Sequence, residues 1–249
     1  LVCASLIDLR FLQRAAPLIY IGMNISLVLV LLIGKVVNGS RRWIDFGSFN
    51  LQPSELAKVG LIISLAAWFQ SNHKPEYRLP DIFTLGAIIG IPMFLVFQEP
   101  DLGHTLMLLL ISLSMFMLER FERKSVLKIL IGGVSFVPIA WLFVLKDYQK
   151  KRILTLIDGD VDKLGAGWHA SEGEVAVGSG GVMGQGRGLG SQVAGGFLPE
   201  NHTDFVFAKL AEEHGFVGSI SCLLIYLLLL LSILYTSSLA KDRFGQHLT

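Results

Sequence analysis

Titratable side chains crowd into residues 198–205, LPENHTDF. An apolar helical pattern starts at the end of this segment, so Asn201 suits the N-cap of that helix and Asp204 suits its first turn, where a carboxylate favours the helix dipole. This structural interpretation accounts for Asp204 but not for Glu200 and His202 beside it. Because a cluster of titratable groups at the edge of an apolar segment is costly, the segment is a candidate functional site.

A second group of polar residues lies in residues 40–58, SRRWIDFGSFNLQPSELAK. Ser54 suits the N-cap of a helix and Glu55 its first turn, and Lys58 follows on the same helical face. A capped helix with a local ion pair explains these residues, yet Lys58 lies within an apolar segment, where an ionisable group needs a partner or an aqueous cavity. Arg42, next to a tryptophan, is either an interfacial anchor or a clamp for phosphate.

Two further segments have the composition of turns. Residues 98–104, QEPDLGH, hold Glu99 and Asp101 beside a proline and a glycine, which reverse-turn chemistry explains. The glycine-rich residues 178–192, which end in Gln192, lack the strand–helix setting of a nucleotide-binding loop and predict a flexible or closely packed loop. The histidines have no Cys/His spacing beside them, so no metal site is predicted.

Composition indicates that membrane helices position these polar segments. Of 249 residues, 52% are hydrophobic and only 16% are charged, whereas a soluble domain carries about a quarter charged residues. Residues 126–145 contain a single charge and residues 216–240 contain none, and each run approaches or exceeds the roughly 20 residues that a helix needs to cross a bilayer. The net charge of +1 gives no electrostatic case for nucleic-acid binding.

Hydropathy, together with the helix-breaking and charged residues between the apolar runs, predicts an all-α, polytopic membrane protein with six full transmembrane helices and a partial one. The partial span is the apolar run that ends at Ile7, and because the chain opens at Leu1 we expect a fragment. Residues 146–215 form one large loop, in which recurring aromatic and aliphatic residues predict order. The six full spans are residues 16–34, 55–69, 82–97, 104–118, 126–145 and 216–236.

Charge predicts which side of the membrane the large loop faces. All the loops of the opposite parity are basic, which favours the cytoplasm for them and the extracytoplasmic side for residues 146–215. The short loop 35–54 weakens this asymmetry, because it is itself basic and shares the parity of the large loop. The basic residues of the predicted cytoplasmic loops are Arg10, Arg14, Lys74, Arg78, Arg120, Arg123, Lys124, Lys241 and Arg243.

Four strings together resemble the landmarks of the SEDS family of cell-wall glycan polymerases (RodA, FtsW and SpoVE), in family order. They are GSRRWIDFG…LQPSELAK, EPDLG, GAGWH…VAVGSGG…GQG…GSQ and FLPENHTDFVFAKLAEEHGFVG, and they run over nearly the whole chain. The strings YQKKRI, GSQ and LAEEHGFVG are most similar to the RodA, or elongation, branch. The chain departs from the family pattern at Glu172-Gly173, Lys209 and His214, which bears on local loop geometry and activity.

The resemblance implies a peptidoglycan glycosyltransferase that joins lipid II, an undecaprenyl-pyrophosphate-linked disaccharide-peptide, into glycan strands during elongation and cell-shape control. The family's catalytic aspartate falls on Asp204. A divalent cation, Mg²⁺ or Mn²⁺, is a candidate to help Arg and Lys side chains hold the pyrophosphate. The family's supporting, substrate-binding residues fall on Arg42, Glu55, Lys58, Glu99, Asp101, Gln192, Glu200 and His202.

The resemblance also implies one partial SEDS transmembrane domain over residues 1–249, without the first span, most of the second and the last two. It implies a place in the bacterial cytoplasmic membrane, beside a class B penicillin-binding transpeptidase and other membrane proteins of the elongation complex. Two other functions stay open. A flippase of the lipid-linked precursor would need no base in the outer loop, and a non-catalytic scaffold for the transpeptidase would tolerate a neutral Asp204.

The predicted orientation can be tested with single cysteines at Gly159 and Ser191, introduced after Cys3 and Cys222 are changed to serine. Both should react with a membrane-impermeant maleimide in intact spheroplasts, because the loop is predicted to face outwards. Labelling that appears only after lysis would place the loop in the cytoplasm and contradict glycan synthesis outside the membrane.

Overall fold

The structure, a computed structural model, describes residues 8–37, 40–47, 50–145, 166–197, 204–240 and 242–248, with residues 150 and 154. The chain divides into two compact units, residues 1–134 with 234–249 and residues 135–233. The elements in chain order are α1 (Leu9–Ile33), β1 (Lys35–Val37), β2 (Ser40–Asp45), β3 (Asn50–Leu51), α2 (Pro53–Ser71), α3 (Leu79–Gln98), α4 (Leu102–Met117), α5 (Arg123–Ile139, continued by a π-helical turn, Ala140–Val144), α6 (Ala166–Ser179), α7 (Ser191–Ala194), α8 (Val206–Leu239) and α9 (Arg243–Leu248).

Each of the six full spans predicted from the sequence is a helix, namely α1 to α5 and α8. Four of them, α1, α3, α5 with its π-helical turn, and α8, are long and apolar enough to cross a membrane, whereas α4 is shorter. Their outward faces carry exposed leucine, isoleucine, valine and phenylalanine. Contact of these side chains with lipid is favourable, whereas their exposure to water is not. The predicted partial span lies outside the described residues.

Helix α2 lies at the centre of the first unit and packs against α1, α3, α4 and α9. Several of its apolar residues, such as Leu61 and Leu65, are fully buried. Gly60 allows α1 to come close, because a Cβ there would lie only 2.6 Å from the sulfur of Met23. The residues at the beginning of α2 are therefore held on a rigid, enclosed element.

The prediction that Ser54 caps α2 is wrong. The helix begins at Pro53, whose fixed φ and missing N–H suit the first helical position, and the N-cap is Gln52. Ser54 is buried inside the first turn. Glu55 still lies in the first turn, as predicted.

The all-α prediction overlooks a small antiparallel sheet of strand order β1-β2-β3 between α1 and α2. Lys35 pairs with Trp43 and Ile44 pairs with Leu51. At the end of β2, the Asp45 carboxylate accepts a hydrogen bond from the amide of Gly47 and forms an ion pair with Lys35. Both interactions lower the pKa of Asp45. The sheet gives the chain between α1 and α2 a defined path, and it carries Arg42 on β2.

On the side predicted to be cytoplasmic, a buried carboxylate joins the ends of α2, α4 and α9. Glu119 accepts hydrogen bonds from Nη1 of Arg243 at 3.0 Å, and its Oε1 lies 2.9 Å from Nε2 of His247. The imidazole of His247 stacks on Phe69 of α2, with ring centroids 4.8 Å apart. The first unit is thus closed at this end by charge pairing as well as by apolar packing.

The second unit shows that the predicted loop 146–215 is partly helical, with α6, α7 and the beginning of α8 inside it. Helix α8 is broken at Gly215 (φ 64°, ψ −162°), and the predicted sixth span follows this break. The glycine-rich segment 181–190 is hydrogen-bonded across the break: Gln185 N donates to Glu212 O, and Phe216 N donates to Gly181 O. This segment is closely packed rather than free.

The break in α8 makes Gly215 a position where alanine should fail. A Cβ there would overlap the backbone of Val182 and Gly184, and the positive φ costs an L residue about 1–2 kcal/mol in addition. We expect Gly215→Ala to lower the thermal unfolding midpoint, measured by tryptophan fluorescence in detergent. Gly90→Ala in α3 is the matched control, because a Cβ there meets nothing within 4 Å and alanine is the better helix former. Equal midpoints for the two variants would contradict the packing at the break.

Candidate functional site

The first unit brings five charged or titratable side chains into one chain of contacts, here called the charge chain: Arg42, Asp101, His104, Glu55 and Lys58. Four of the five were predicted as site residues, and they come from β2, α2 and the beginning of α4. The sequence places them in two separate segments, residues 40–58 and 98–104. Only the fold makes them neighbours.

Arg42 joins the sheet to the turn between α3 and α4. Its guanidinium donates from Nη2 to the carbonyl of Pro100 at 2.6 Å and from Nε to the carbonyl of Glu99 at 3.4 Å. The same Nε lies 3.4 Å from Oδ2 of Asp101. The side chain stays 29% exposed and can still meet a ligand.

Asp101 does two things at the beginning of α4. Its Oδ1 accepts a hydrogen bond from the amide of His104, which makes it the N-cap of the helix. Its Oδ2 lies 3.0 Å from Nδ1 of the same histidine. The carboxylate is only 6% exposed, so its partners replace the water that it has lost. The turn chemistry predicted for this segment is therefore correct, and it also organises the charge chain.

The predicted ion pair between Glu55 and Lys58 is present, with Nζ of Lys58 2.8 Å from Oε2 of Glu55. It is not merely local, because Oε1 of Glu55 lies 2.7 Å from Nε2 of His104 on α4. Sequence reasoning quoted His104 at the end of its turn but gave it no role. The three-residue spacing between Asp101 and His104 was the one sequence feature that could have predicted a contact between them.

Glu99 is fully buried beside the charge chain, at the first position after α3. Neither of its carboxyl oxygens has a hydrogen-bond partner among the described residues. Burial, and then the negative charge of Asp101, raise the pKa of Glu99 to about 8, against the opposing charge of Arg42. At neutral pH this group is therefore mainly a neutral carboxylic acid, which can donate a hydrogen bond.

The second unit carries Asp204, which is exposed and lies two positions before α8 begins, so the prediction that it lies in the first turn of the helix is wrong. The predicted neighbours Glu200 and His202, and the predicted N-cap Asn201, lie outside the described residues. The next residue, Phe205, packs against Ala176 of α6 and Ala208 of α8. An exposed carboxylate on an anchored backbone can reach a reactant without first breaking a buried ion pair.

Glu212 is a buried residue of the second unit that sequence reasoning did not single out. Its Oε1 accepts a hydrogen bond from the amide of Gln192 at 2.7 Å and weaker ones from the hydroxyls of Ser179 and Ser191. A Cβ at Gly190 would overlap the Glu212 carboxylate. Two adjacent acids in LAEEHG were the only signal, and the pattern did not say which of them is buried.

Gln192, predicted as a substrate-binding residue, is held by this carboxylate through its backbone. Its side-chain Oε1 is buried and has no hydrogen-bond partner among the described residues. The described residues contain no group of three or more His, Cys, Asp or Glu side chains that could hold a metal ion. The divalent cation suggested by the chemistry stays a prediction.

Comparison with known proteins supports the resemblance found in the sequence. Residues 1–249 match the FTSW_RODA_SPOVE family, described as "Cell cycle protein". The chain is 36% identical over 249 residues to "Peptidoglycan glycosyltransferase MrdB" of Escherichia coli K12, with 99% of the chain and 66% of that protein covered. It is 34% identical over 245 residues to "Probable peptidoglycan glycosyltransferase FtsW" of Aliivibrio salmonicida, with 96% of the chain and 60% of that protein covered.

Two solved structures are similar over most of the chain. One belongs to a study of "Structural coordination of polymerization and crosslinking by a peptidoglycan synthase complex", with a TM-score of 0.80, 28% identity and 99% of this chain and 68% of that one covered. The other is the Rod shape determining protein RodA of Thermus thermophilus, with a TM-score of 0.63, 26% identity and 96% and 61% covered. The chain spans about two thirds or less of the length of these relatives.

The buried carboxyl of Glu99 predicts how stability depends on pH. An ordinary Glu carboxyl ionises near pH 4.5, whereas the folded one keeps its proton to about pH 8. The stability that the bound proton contributes is therefore fully present below about pH 4.5 and falls by about 1.4 kcal/mol for each pH unit up to 8. Glu99→Gln cannot ionise, so its unfolding midpoint should fall less than that of the wild type between pH 5 and pH 8.

Thermal unfolding in detergent at several pH values checks this prediction. Glu174→Gln is the control, because Glu174 is an exposed carboxylate on α6 and should leave the pH dependence unchanged. Parallel pH profiles for Glu99→Gln and the wild type would show that Glu99 is ionised in the folded protein at neutral pH.

Proposed function

Because the chain belongs to the FtsW/RodA/SpoVE family, whose pattern it matches from residue 1 to residue 249, we propose that it acts as a peptidoglycan glycosyltransferase that polymerises lipid II. The observation that carries the proposal is its 36% identity, over its whole length, to a peptidoglycan glycosyltransferase of E. coli. The similarity to MrdB and to a RodA structure favours a role in cell elongation and shape over one in division.

The proposed reaction is glycosyl transfer between lipid-linked sugars. A hydroxyl oxygen of the acceptor sugar attacks the anomeric carbon of the donor, and the bond from that carbon to the pyrophosphate oxygen breaks. The pyrophosphate leaves with its undecaprenyl chain and with the bonding electron pair, and the hydroxyl proton passes to a base. The protein must therefore supply a base for the acceptor and positive charge for the leaving group.

Asp204 is the proposed base. It is exposed, lies just before a helix, and has neither an ion pair nor a capping hydrogen bond among the described residues to occupy its carboxylate. A carboxylate in this position can accept the acceptor's proton while the lipid tail of the substrate stays in the membrane. General-base catalysis of this kind contributes about a hundred- to ten-thousand-fold to a rate.

The cationic ends of the charge chain are the proposed partners of the pyrophosphate. Arg42 offers a planar guanidinium on a side chain that is 29% exposed, and Lys58 offers an ammonium on a side chain that is 21% exposed. Mg²⁺ or Mn²⁺ could neutralise further charge on the pyrophosphate in the working enzyme.

The chain is a multi-pass membrane protein, and we place it in the bacterial cytoplasmic membrane because its substrate is a lipid-linked cell-wall precursor. We expect a class B penicillin-binding transpeptidase as its partner, with other membrane proteins of the elongation complex. The high structural similarity to a protein from a peptidoglycan synthase complex that coordinates polymerisation and crosslinking supports this expectation. Flipping of the precursor and scaffolding of the transpeptidase are the two competing functions.

Asp204→Asn separates catalysis from these alternatives, because asparagine keeps the shape of the side chain and removes its basicity. In the complete protein that contains these residues, we expect normal expression and partner binding, with lipid II polymerisation reduced at least a hundredfold. Loss of a charge near the N-terminus of the helix would instead cost only about 1 kcal/mol of stability. The measurement is gel analysis of glycan strands formed from labelled lipid II, with and without the transpeptidase.

Glu174→Gln again serves as the matched control, since it neutralises another exposed carboxylate of the same unit and should polymerise normally. Polymerisation by Asp204→Asn at the wild-type rate would remove Asp204 as the base. No polymerisation by the wild type, with its partner present, would refute the glycosyltransferase proposal and favour the flippase or the scaffold.

A further inference from the structure

His104 occupies the middle of the charge chain, with a carboxylate at each ring nitrogen. Nδ1 lies 3.0 Å from Oδ2 of Asp101, and Nε2 lies 2.7 Å from Oε1 of Glu55. The imidazole is 19% exposed, so water does not compete freely for these two positions. Glu55 stands 49 residues before His104 in the chain, so this contact ties α2 to α4.

Hydrogen-bond chemistry restricts the charge state of this arrangement. A neutral imidazole donates from one nitrogen and accepts at the other, so it would present a lone pair to one of the two carboxylates. An imidazolium donates from both nitrogens and satisfies both contacts. The charge chain then alternates in sign along its length: Arg42 positive, Asp101 negative, His104 positive, Glu55 negative and Lys58 positive.

We propose that His104 is a positioning residue that holds Asp101 and Glu55 with its two ring nitrogens and thereby fixes Arg42 and Lys58 as a pair of cations for a polyprenyl diphosphate. The inference deepens the proposed function and rests on it for the identity of the ligand. The protonated chain carries a net charge of +1, whereas the chain with a neutral imidazole carries none. Protonation of His104 therefore favours an anionic ligand both by geometry and by charge.

Glu55 shows why a positioning residue is needed. Its side chain is 53% exposed and would otherwise sample several rotamers, and Lys58 alone is as flexible as Glu55. With one carboxylate oxygen at His104 and the other at Lys58, the ammonium is restricted to one position. Arg42 is fixed in the same way from the Asp101 end.

Several titratable and charged groups face His104 from the elements packed around it, and all bear on a pH profile. Asp101 and Glu55 contact the ring directly, and Arg42 and Lys58 contact those carboxylates. Glu99 lies beside Asp101 and Arg42, and its ionisation adds a negative charge as the pH rises. Its contribution is removed by measuring in a Glu99→Gln background.

The test is binding of undecaprenyl diphosphate to the complete protein in nanodiscs, followed by tryptophan fluorescence, with undecaprenyl monophosphate as the comparison. Affinity for the diphosphate is measured between pH 6 and pH 9 in the Glu99→Gln protein. Adding His104→Gln, whose amide can reach only one carboxylate, should weaken binding at pH 6 about tenfold and change the pH profile. His104→Asn should behave in the same way.

His73→Gln is the matched control, because His73 is an exposed histidine of the same unit outside the charge chain. It should leave affinity and pH profile unchanged. Thermal midpoints of all variants are measured in parallel, and binding is compared at temperatures where each is folded. A positioning role requires the change in pH profile, which a merely destabilised protein would not show.

Two results would overturn the inference. One is an unchanged affinity at pH 6 in both His104 variants. The other is an unchanged pH profile in both of them. Failure of the proposed function looks different: the wild type would bind the diphosphate and the His104 variants would bind it more weakly, but the wild type would form no glycan from lipid II. That outcome would sustain the role of His104 in binding and refute polymerisation.

Discussion

A charge held at the edge of a bilayer must have a partner, and this constraint organises the first unit. In the charge chain, Arg42 contacts Asp101 and Lys58 contacts Glu55. His104 contacts both carboxylates, those of Asp101 and Glu55. Through them, β2, the α3–α4 turn, α4 and the beginning of α2 are held together at one end of the unit. The same pairing that makes these charges tolerable also leaves Arg42 and Lys58 partly exposed and fixed in place, which is what an anionic ligand requires.

The second unit surrounds a buried carboxylate with hydrogen-bond donors. The carboxylate of Glu212 is buried, and it accepts hydrogen bonds from an amide and two hydroxyls. The backbone at residue 190 lies very close to this carboxylate, so only glycine fits there. Glycine is also required at position 215, because the φ there is positive. The glycine-rich segment is thus a packed support for Gln192 rather than a flexible loop.

The sequence predicted what depends on local pattern and missed what depends on contacts between distant residues. Apolar runs located all six long helices, and a three-residue spacing located the Glu55–Lys58 pair. His104 and Glu212 were missed because their partners lie 49 and 20 residues away. The small sheet was missed because strands of two to six residues carry little periodicity, and Ser54 was misassigned because Pro53 competes for the beginning of the helix.

The position of charge along the helices bears on the competing functions. In α1 to α5 and α8, every Asp, Glu, Lys, Arg and His lies within the first nine residues of its helix. A carrier that moves a charged headgroup through the membrane needs polar groups near the middle of its spans. Here the middle and the C-terminal parts of the long helices are uncharged. Arg42 lies on β2, Lys58 lies in the N-terminal part of α2, and the exposed Asp204 lies just before α8. That distribution suits a reaction performed at the membrane surface on a substrate whose lipid tail never has to leave the bilayer.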